Sequence, residues 1–371
     1  MGVIELDYSR LIGVLQEPFD VGRPVIMPDF FVDHFVINGS FEDFIRELRR
    51  LAEQGGGNLL DNTQFIRRGG NAVNTASALL SLGVDPVLIV TTDDYGARIL
   101  PTLVHPDLDL SHVHKDGRLS STVSIEADYE GRRVNLMVSD SGSASDFAFS
   151  DLTSDDLNAI QESSLVALLN LNHNADAPRL AVELFEVVSE SSHATKFIDI
   201  GDPSGNQGII EPLARQVLSD GLVDIISLNE NEARWFAWTL TGRQDRWKTL
   251  SSKHEDWLSA AELTSKETGV RVDLHTQYFV ATIAEGDCMV VPTFQADCRV
   301  ALGAGDAWNA GDILGTLLHL PDTDRLTLAN SVAALYVSSA SASHPSLPDV
   351  VEHLSTEPSF EEIGERLVRR K

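Results

Sequence analysis

Three short stretches of this chain hold residues whose types and spacing could do chemistry. In Val300-Ala-Leu-Gly-Ala-Gly-Asp-Ala-Trp-Asn-Ala-Gly-Asp312 a glycine-rich turn leads into a helix expected over 306–320. The backbone N–H groups of Gly303, Ala304 and Gly305 can lie bare against a ligand. The first turn of the helix offers unpaired N–H groups and the positive end of a dipole, which suits phosphate oxygens. Asp306 breaks that logic, because a carboxylate repels an anion. It is either the helix cap or a base held close to a developing charge. In Arg67-Arg-Gly-Gly-Asn-Ala-Val-Asn74 a glycine pair opens a second helix, with Asn71 and Asn74 three apart on one face of its first turn. Neutral amides so placed can hold several hydroxyls, as a sugar requires, although Asn71 could instead cap the helix. In Asn229-Glu-Asn-Glu232, two carboxylates and two amides follow a strand directly. They could hold Mg²⁺ through water, or cap the helix that starts near Ala233.

These stretches need elements to position them, and hydrophobic periodicity supplies candidates. Val25–Val36 alternates loosely as a first strand, interrupted by Asp33. Ser40 opens an amphipathic helix with Phe41, Phe44, Ile45, Leu48 and Leu51 on one face, and Gly55–Gly57 stops it. Apolar residues at 72, 73, 76, 79 and 80 continue the Asn71 helix to a stop at Gly83. Residues 86–91 read as a buried strand, and Asp93 and Asp94 turn the chain into another helix. Segments 121–127 and 132–138 alternate around Tyr129-Glu-Gly131 and predict a hairpin, a common form of lid. From Leu165, strand-like runs (165–171, 196–200, 223–228) alternate with helical ones (178–189, 212–218), the pattern of a parallel sheet between helices. Residues 272–283 read as one more strand, containing His275, with Tyr278 and Phe279 either flanking a base or simply buried. Trp235, Phe236 and Trp238 read as core. Residues 1–24 carry no firm pattern and are expected to be a peripheral segment, with one kinase-sized domain over 25–345 and a helical segment over 346–371.

Composition narrows the partners. With 56 acidic against 28 basic residues in 371, the formal charge is -28, which repels nucleic acid. The acidity is spread along the chain, as on a surface suited to high salt, so a halophilic cytoplasm is expected. No apolar run is long enough to cross a bilayer and no leader-like segment opens the chain, so no membrane partner is expected. Cys288 and Cys298 fit neither a disulfide framework nor a zinc spacing.

With the pieces in order, the chain resembles the ribokinase-like superfamily, in the carbohydrate kinase branch named after the minor phosphofructokinase. The resemblance rests on Gly69-Gly70-Asn71 with Asn74, on Gly303-Ala304-Gly305-Asp306 with Ala310-Gly311, and on Asn229 with Glu232, in that family's order. It implies an α/β fold: a three-layer α/β/α sandwich with a mostly parallel central sheet and a small β-lid, its strands near 25–38 and 119–139. It also implies phosphoryl transfer from a nucleotide, ATP or ADP, to a sugar or sugar phosphate. In that reading Asp306 takes the proton from the acceptor hydroxyl, and the amides of Gly303, Ala304 and Gly305 form the anion hole. Glu232 and Asn229 organise Mg²⁺ and the donor phosphates. Asp33, Gly70, Asn71 and Asn74 orient the acceptor, and His275, Thr276, Tyr278 and Asn330 attend the nucleotide. The chain departs from the family pattern at Val300-Ala301-Leu302, where an Asp-Thr pair is usual, and at His275-Thr276-Gln277-Tyr278, which is more similar to the His-Thr-x-x-Tyr strand of ADP-dependent sugar kinases.

Arg67 and Arg68 adjoin the sugar motif, and Arg132 and Arg133 lie on the expected lid. They could clamp a phosphate carried by the acceptor, or form surface salt bridges. A pentose phosphate is the leading acceptor, because the chain resembles archaeal kinases acting on ribose 1-phosphate. A nucleoside or free-sugar kinase, or a sensor that keeps the fold without turnover, are the competing readings. In this family lid strands often pair between subunits, which implies a possible homodimer.

Overall fold

A computed structural model describes residues 7–364 and residue 367. Its centre is an eight-stranded sheet, ordered from one edge as Asp287–Pro292, Phe279–Ala284, Arg271–His275, Ile225–Asn229, Thr195–Asp199, Leu165–Leu168, Val25–Met27 and Val87–Leu88. The six strands from Arg271–His275 to Val87–Leu88 run parallel, and the last hairpin is antiparallel. Strand side chains alternate between faces, so the apolar runs fill two cores at once. Val25, Met27, Val166, Leu168, Ile226 and Leu228 enter one core, against helices Ala177–Ser191 and His254–Thr268. Ile26, Leu165, Ala167, Phe197 and Ile225 enter the other, against helices Asn71–Ser81 and Ala304–Leu317. The result is the expected three-layer α/β/α sandwich. Among the described residues no helix is long and apolar enough to cross a membrane.

A second sheet forms the lid, in the order Thr63–Gly69, Phe31–Ser40, Ser120–Tyr129, Arg132–Asp140. The hairpin around Tyr129-Glu-Gly131 is as expected, but the first strand is not. The alternation over 25–36 is divided between two sheets: Val25–Met27 lies in the central one and Phe31–Ser40 in the lid. Pro28 stands at the break, joined to Met27 by a cis bond, and a proline has no N–H to give to a sheet ladder. Ser40 caps the following helix, Phe41–Glu53, accepting from Asp43 N at 3.2 Å. Of its apolar stripe only Leu51 is buried, while Ile45 and Leu48 face solvent.

Three other expectations need correction. The strand over 272–283 is two antiparallel strands, Arg271–His275 and Phe279–Ala284. The Thr276 hydroxyl makes the turn, donating to Phe279 O at 2.7 Å and accepting from Tyr278 N and Phe279 N. A threonine turn carries no glycine or proline to announce it, so periodicity runs through. The amino-terminal segment is less peripheral than its composition suggests: helix Ser9–Gln16 buries Leu11 and Leu15 in one core and packs on helix Leu347–Ser355. Beyond that last helix residues 357–364 form no helix, and Phe360 bridges to Phe294. The rest of the expected helical segment, residues 365–366 and 368–371, lies outside the described residues.

Candidate active site

Asp306 is the third residue of helix Ala304–Leu317, whose cap is Gly303 in the left-handed region at φ 85°. The carboxylate therefore does not cap its own helix. It is buried, 6% exposed, and accepts from Asn74 Nδ2 at 2.8 Å. Burial drives its pKa well above the ordinary value; the charges of Asp199 and Asp29 add to the effect, while Asn74 and Arg68 oppose it. A side chain at Gly303 would strike the Tyr336 hydroxyl. The N–H of Ala304 turns onto Ala301 O at 3.2 Å, whereas among the described residues those of Gly305 and Asp306 take no backbone partner. The Gly303 N–H has no backbone partner among them either, so of the expected 303–305 donors only Ala304 is taken, and Asp306 adds a further open one.

The second helix, Asn71–Ser81, starts beneath the same point. Its capping role falls on neither asparagine but on Asp29, which accepts from Asn71 N at 3.1 Å and Ala72 N at 2.8 Å. That frees the Asn71 side chain, whose Nδ2 lies 3.5 Å from Asp199, and leaves Asn74 on Asp306. The glycine pair makes room for carboxylates: a Cβ at Gly69 would fall on the Asp33 carboxyl group, and one at Gly70 would meet Asp29 O at 2.9 Å. Four acids therefore gather here, Asp29, Asp33, Asp199 and Asp306. Burial raises Asp29 to about 6, and burial with the Asp29 charge raises Asp33 to about 7. Asp29 and Asp199 are absent from the residues picked out by motif. Both lie at or just beyond the carboxyl ends of central strands, where ligands of such sheets bind, and that position is the signal that could have found them.

A cavity opens beside this cluster, lined by Asp33 and Asn74 together with Arg67, Arg68, Thr102 and Tyr336. The Arg67 guanidinium lies over the Phe65 ring at 4.7 Å and near Phe35 at 5.6 Å, and those two rings stack at 4.8 Å. Arg68 gives one N–H to Leu103 O at 3.4 Å, and its buried Nε has no partner. Among the described residues neither arginine forms an ion pair, so the salt-bridge alternative does not hold for them. It does hold for Arg133, which pairs with Asp128 at 3.3 Å and Glu126 at 3.7 Å, donates to Asn38 O, and is not part of the cavity lining.

At the far side, Asn229 caps helix Glu230–Leu240. Its Oδ1 accepts from Asn231 N and Glu232 N, and its Nδ2 donates to Glu232 Oε1 at 2.7 Å. Glu232 is buried, its pKa raised well above the usual range by burial and by Asp199.

The pfkB family carbohydrate kinase pattern matches residues 38–350, most of the chain. The chain belongs to that family. No curated protein matches the sequence. Among solved structures, an Arabidopsis thaliana ribokinase complexed with ribose and ATP superposes with a TM-score of 0.68 at 18% identity, covering 90% of this chain and 98% of its own. A Thermotoga maritima ribokinase gives 0.65 at 16%, covering 90% and 99%. A Methanocaldococcus jannaschii nucleoside kinase gives 0.58 at 13%, covering 90% and 98%. These likenesses fix the fold, and the family makes the protein a phosphotransferase acting on a sugar hydroxyl.

The remaining residues expected at the kinase's nucleotide are placed unevenly. His275 lies at the start of the Ala304–Leu317 helix, its Nε2 3.2 Å from where a Cβ on Gly305 would stand. Thr276 and Asn330 are engaged within the protein. The Thr276 hydroxyl is used by its own turn, and the Asn330 amide is buried, accepting from Trp308 Nε1 at 3.2 Å and donating to Pro292 O at 3.1 Å. Tyr278 stacks on His254 at 4.4 Å, and Phe279 is wholly core. Mg²⁺ would fit this site through water. The Asn229 oxygen already caps the helix, and among the described residues no three acidic, histidine or cysteine side chains are placed to hold a metal. Glu232 would hold it through metal-bound water, for which its carboxylate keeps lone pairs.

Proposed function

We propose that this kinase transfers a phosphoryl group from a nucleotide, ATP before ADP, to a hydroxyl of a phosphorylated sugar, a pentose phosphate such as ribose 1-phosphate. The observation that carries the reading is the pair Arg67 and Arg68, unpaired in a strongly acidic chain and lining the cavity that also holds Asp33 and Asn74. Asp33, Asn71 and Asn74 orient the acceptor, and the two arginines take its phosphate. Asp306 then receives the hydroxyl proton while the open amides of Gly303, Gly305 and Asp306 meet the transferring group. Phosphoryl transfer needs such positioning and charge stabilisation more than covalent help. Mg²⁺, held through water near Glu232, would neutralise the donor phosphates. The ATP preference is supported by the Arabidopsis ribokinase complex, and ADP by the likeness of the His275–Tyr278 stretch to ADP-dependent kinases.

Arg67→Ala and Arg68→Ala should each raise KM for a sugar phosphate about ten- to a hundredfold, the worth of a charge-assisted hydrogen bond. An acceptor panel with free ribose and nucleosides checks this. Unchanged KM in both variants, or a preference for an uncharged acceptor, would favour the nucleoside or free-sugar reading.

We further propose that the lid pairs two copies of the kinase. Val123 and Val138 are paired across the lid sheet and exposed, and His34 aligns them with Ile66, which is also exposed but stands at the rim of the cavity. Asp33 and Arg67 occupy the other face. Sedimentation should find a dimer that Val138→Asp converts to monomer. A wild-type monomer at micromolar concentration would refute the pairing.

A further inference from the structure

A line of hydrogen bonds runs beneath the Ala304–Leu317 helix from the acceptor side of the site to His275. Asn71 Nδ2 lies 3.5 Å from one Asp199 oxygen, and Asn309 Nδ2 donates to the other at 2.8 Å. The Ser227 hydroxyl donates to Asn309 Oδ1 at 2.6 Å, and His275 Nδ1 lies 3.2 Å from Ser227 Oγ. The direction of each bond follows from the inventory of donors and acceptors. Asp199 also accepts from Gly201 N at 2.9 Å, so Asn309 turns its NH₂ to the carboxylate and its oxygen to Ser227. An amide oxygen only accepts, which commits the single Ser227 proton to it. The Ser227 oxygen is left as the acceptor, and His275 Nδ1 must carry the proton that reaches it.

The imidazole is neutral, since burial lowers its pKa to about 4. With Nδ1 protonated, Nε2 holds a bare lone pair. The Trp308 ring, stacked at 5.0 Å and 26°, fixes the imidazole plane, and Nε2 lies beside Gly305. Phosphates at neutral pH carry acceptors alone, so this nitrogen is the wrong partner for them. A nucleotide's hydrogen-bond donors are its ribose hydroxyls and, in adenine, the exocyclic amino group. We propose that Ser227 and Asn309 are positioning residues that lock His275 in the Nδ1–H tautomer, so that Nε2 accepts a hydrogen bond from a hydroxyl or amino group of the nucleotide. This rests on the reading that the nucleotide binds at the start of the Ala304–Leu317 helix.

Nitrogen-15 NMR of the full chain tests the lock without turnover, with the His275 signals assigned by their loss in His275→Gln. Wild type should show a protonated Nδ1 and an unprotonated Nε2, and Ser227→Ala should release a mixture of tautomers. In kinetics, Ser227→Ala should raise donor KM about tenfold, more than it lowers kcat, with acceptor KM unchanged. His275→Leu should carry a similar penalty with ATP. That penalty should vanish with the one analogue that lacks the contacted group, among 2′-deoxy-ATP, 3′-deoxy-ATP and inosine triphosphate, and the analogue affected tells hydroxyl from amino. An Nε2–H tautomer in wild type overturns the proposal. So does a His275→Leu penalty that is undiminished with all three analogues. If neither ATP nor ADP phosphorylates any sugar, the kinase reading fails instead, and the tautomer measurement still judges the lock.

Discussion

Asp306→Asn should lower kcat about 10³-fold while leaving acceptor and nucleotide KM within a few-fold, the loss expected when a positioned base is removed and its shape is kept. Asparagine preserves a hydrogen-bonding side chain toward Asn74 but cannot take the acceptor's proton. The pH profile makes the assignment sharper. Burial raises the Asp306 pKa, so wild-type kcat/KM should fall as pH drops through that raised value, and the residual activity of the variant should lack this limb. Stability should move the other way. A carboxyl group whose folded pKa is raised contributes stability that is fully present below its ordinary pKa and is lost as pH rises through the folded one. The ligand-free variant should therefore melt above wild type at pH 8, by more than it does at pH 5. An Asp306→Asn enzyme with undiminished kcat would remove the residue from the chemistry.

Arg325→Ala should have the largest effect on stability, about 3–5 kcal/mol in urea unfolding, because it strands buried carboxylates. Arg325 is 1% exposed and bonds Asp312, Asp273 at 3.2 Å, the Thr282 hydroxyl at 2.7 Å and Asp322 at 3.1 Å. It joins the final hairpin of the central sheet to the two helices that follow. Burial alone would lower the arginine pKa, but Asp273 and Asp312 raise it overall, so the cation is committed. Asp273 is also paired with Arg271 at 2.9 Å and keeps a counter-charge in the variant, whereas among the described residues Asp312 has Arg325 as its one ion-pair partner. Adding Asp312→Asn should therefore recover part of the loss. A destabilisation of Arg325→Ala below about 1 kcal/mol would mean that water reaches the site and the network is not closed.

The chemistry was more legible in the sequence than the geometry around it. Asp306, Asn71 and Asn74 announced themselves by company and spacing, and the structure brings Asp306 and Asn74 into contact across more than two hundred residues of chain. The capping alternatives could not be settled locally, because Asp29 takes the role that Asn71 would have played from a strand end 42 residues earlier. Asn229 shows the opposite case, in which cap and candidate ligand are the same residue and the cap uses its oxygen. The hairpin at 276–278 and the burial of Asn330 escaped notice for a common reason: side-chain hydrogen bonds to distant or turned backbone leave no periodic trace. Charge and position mark Arg67, Arg68 and Arg133 alike, and only the folded arrangement shows that the first two line the cavity while Arg133 is held by Asp128 and Glu126.

The lid strand Phe31–Ser40 carries two messages in one alternation. Its odd-numbered residues Asp33 and Phe35 line the cavity, while His34 does not and lies in the row that links Ile66, at the cavity rim, to Val123 and Val138. A shift of pairing by a single residue would exchange these sets, presenting histidine to the cavity and a carboxylate to the outside. The space left by Gly69, which the Asp33 carboxyl group fills, works as a register key. It ties the acid to one position along the neighbouring strand, so catalytic alignment and the lid's outward surface are set together or lost together.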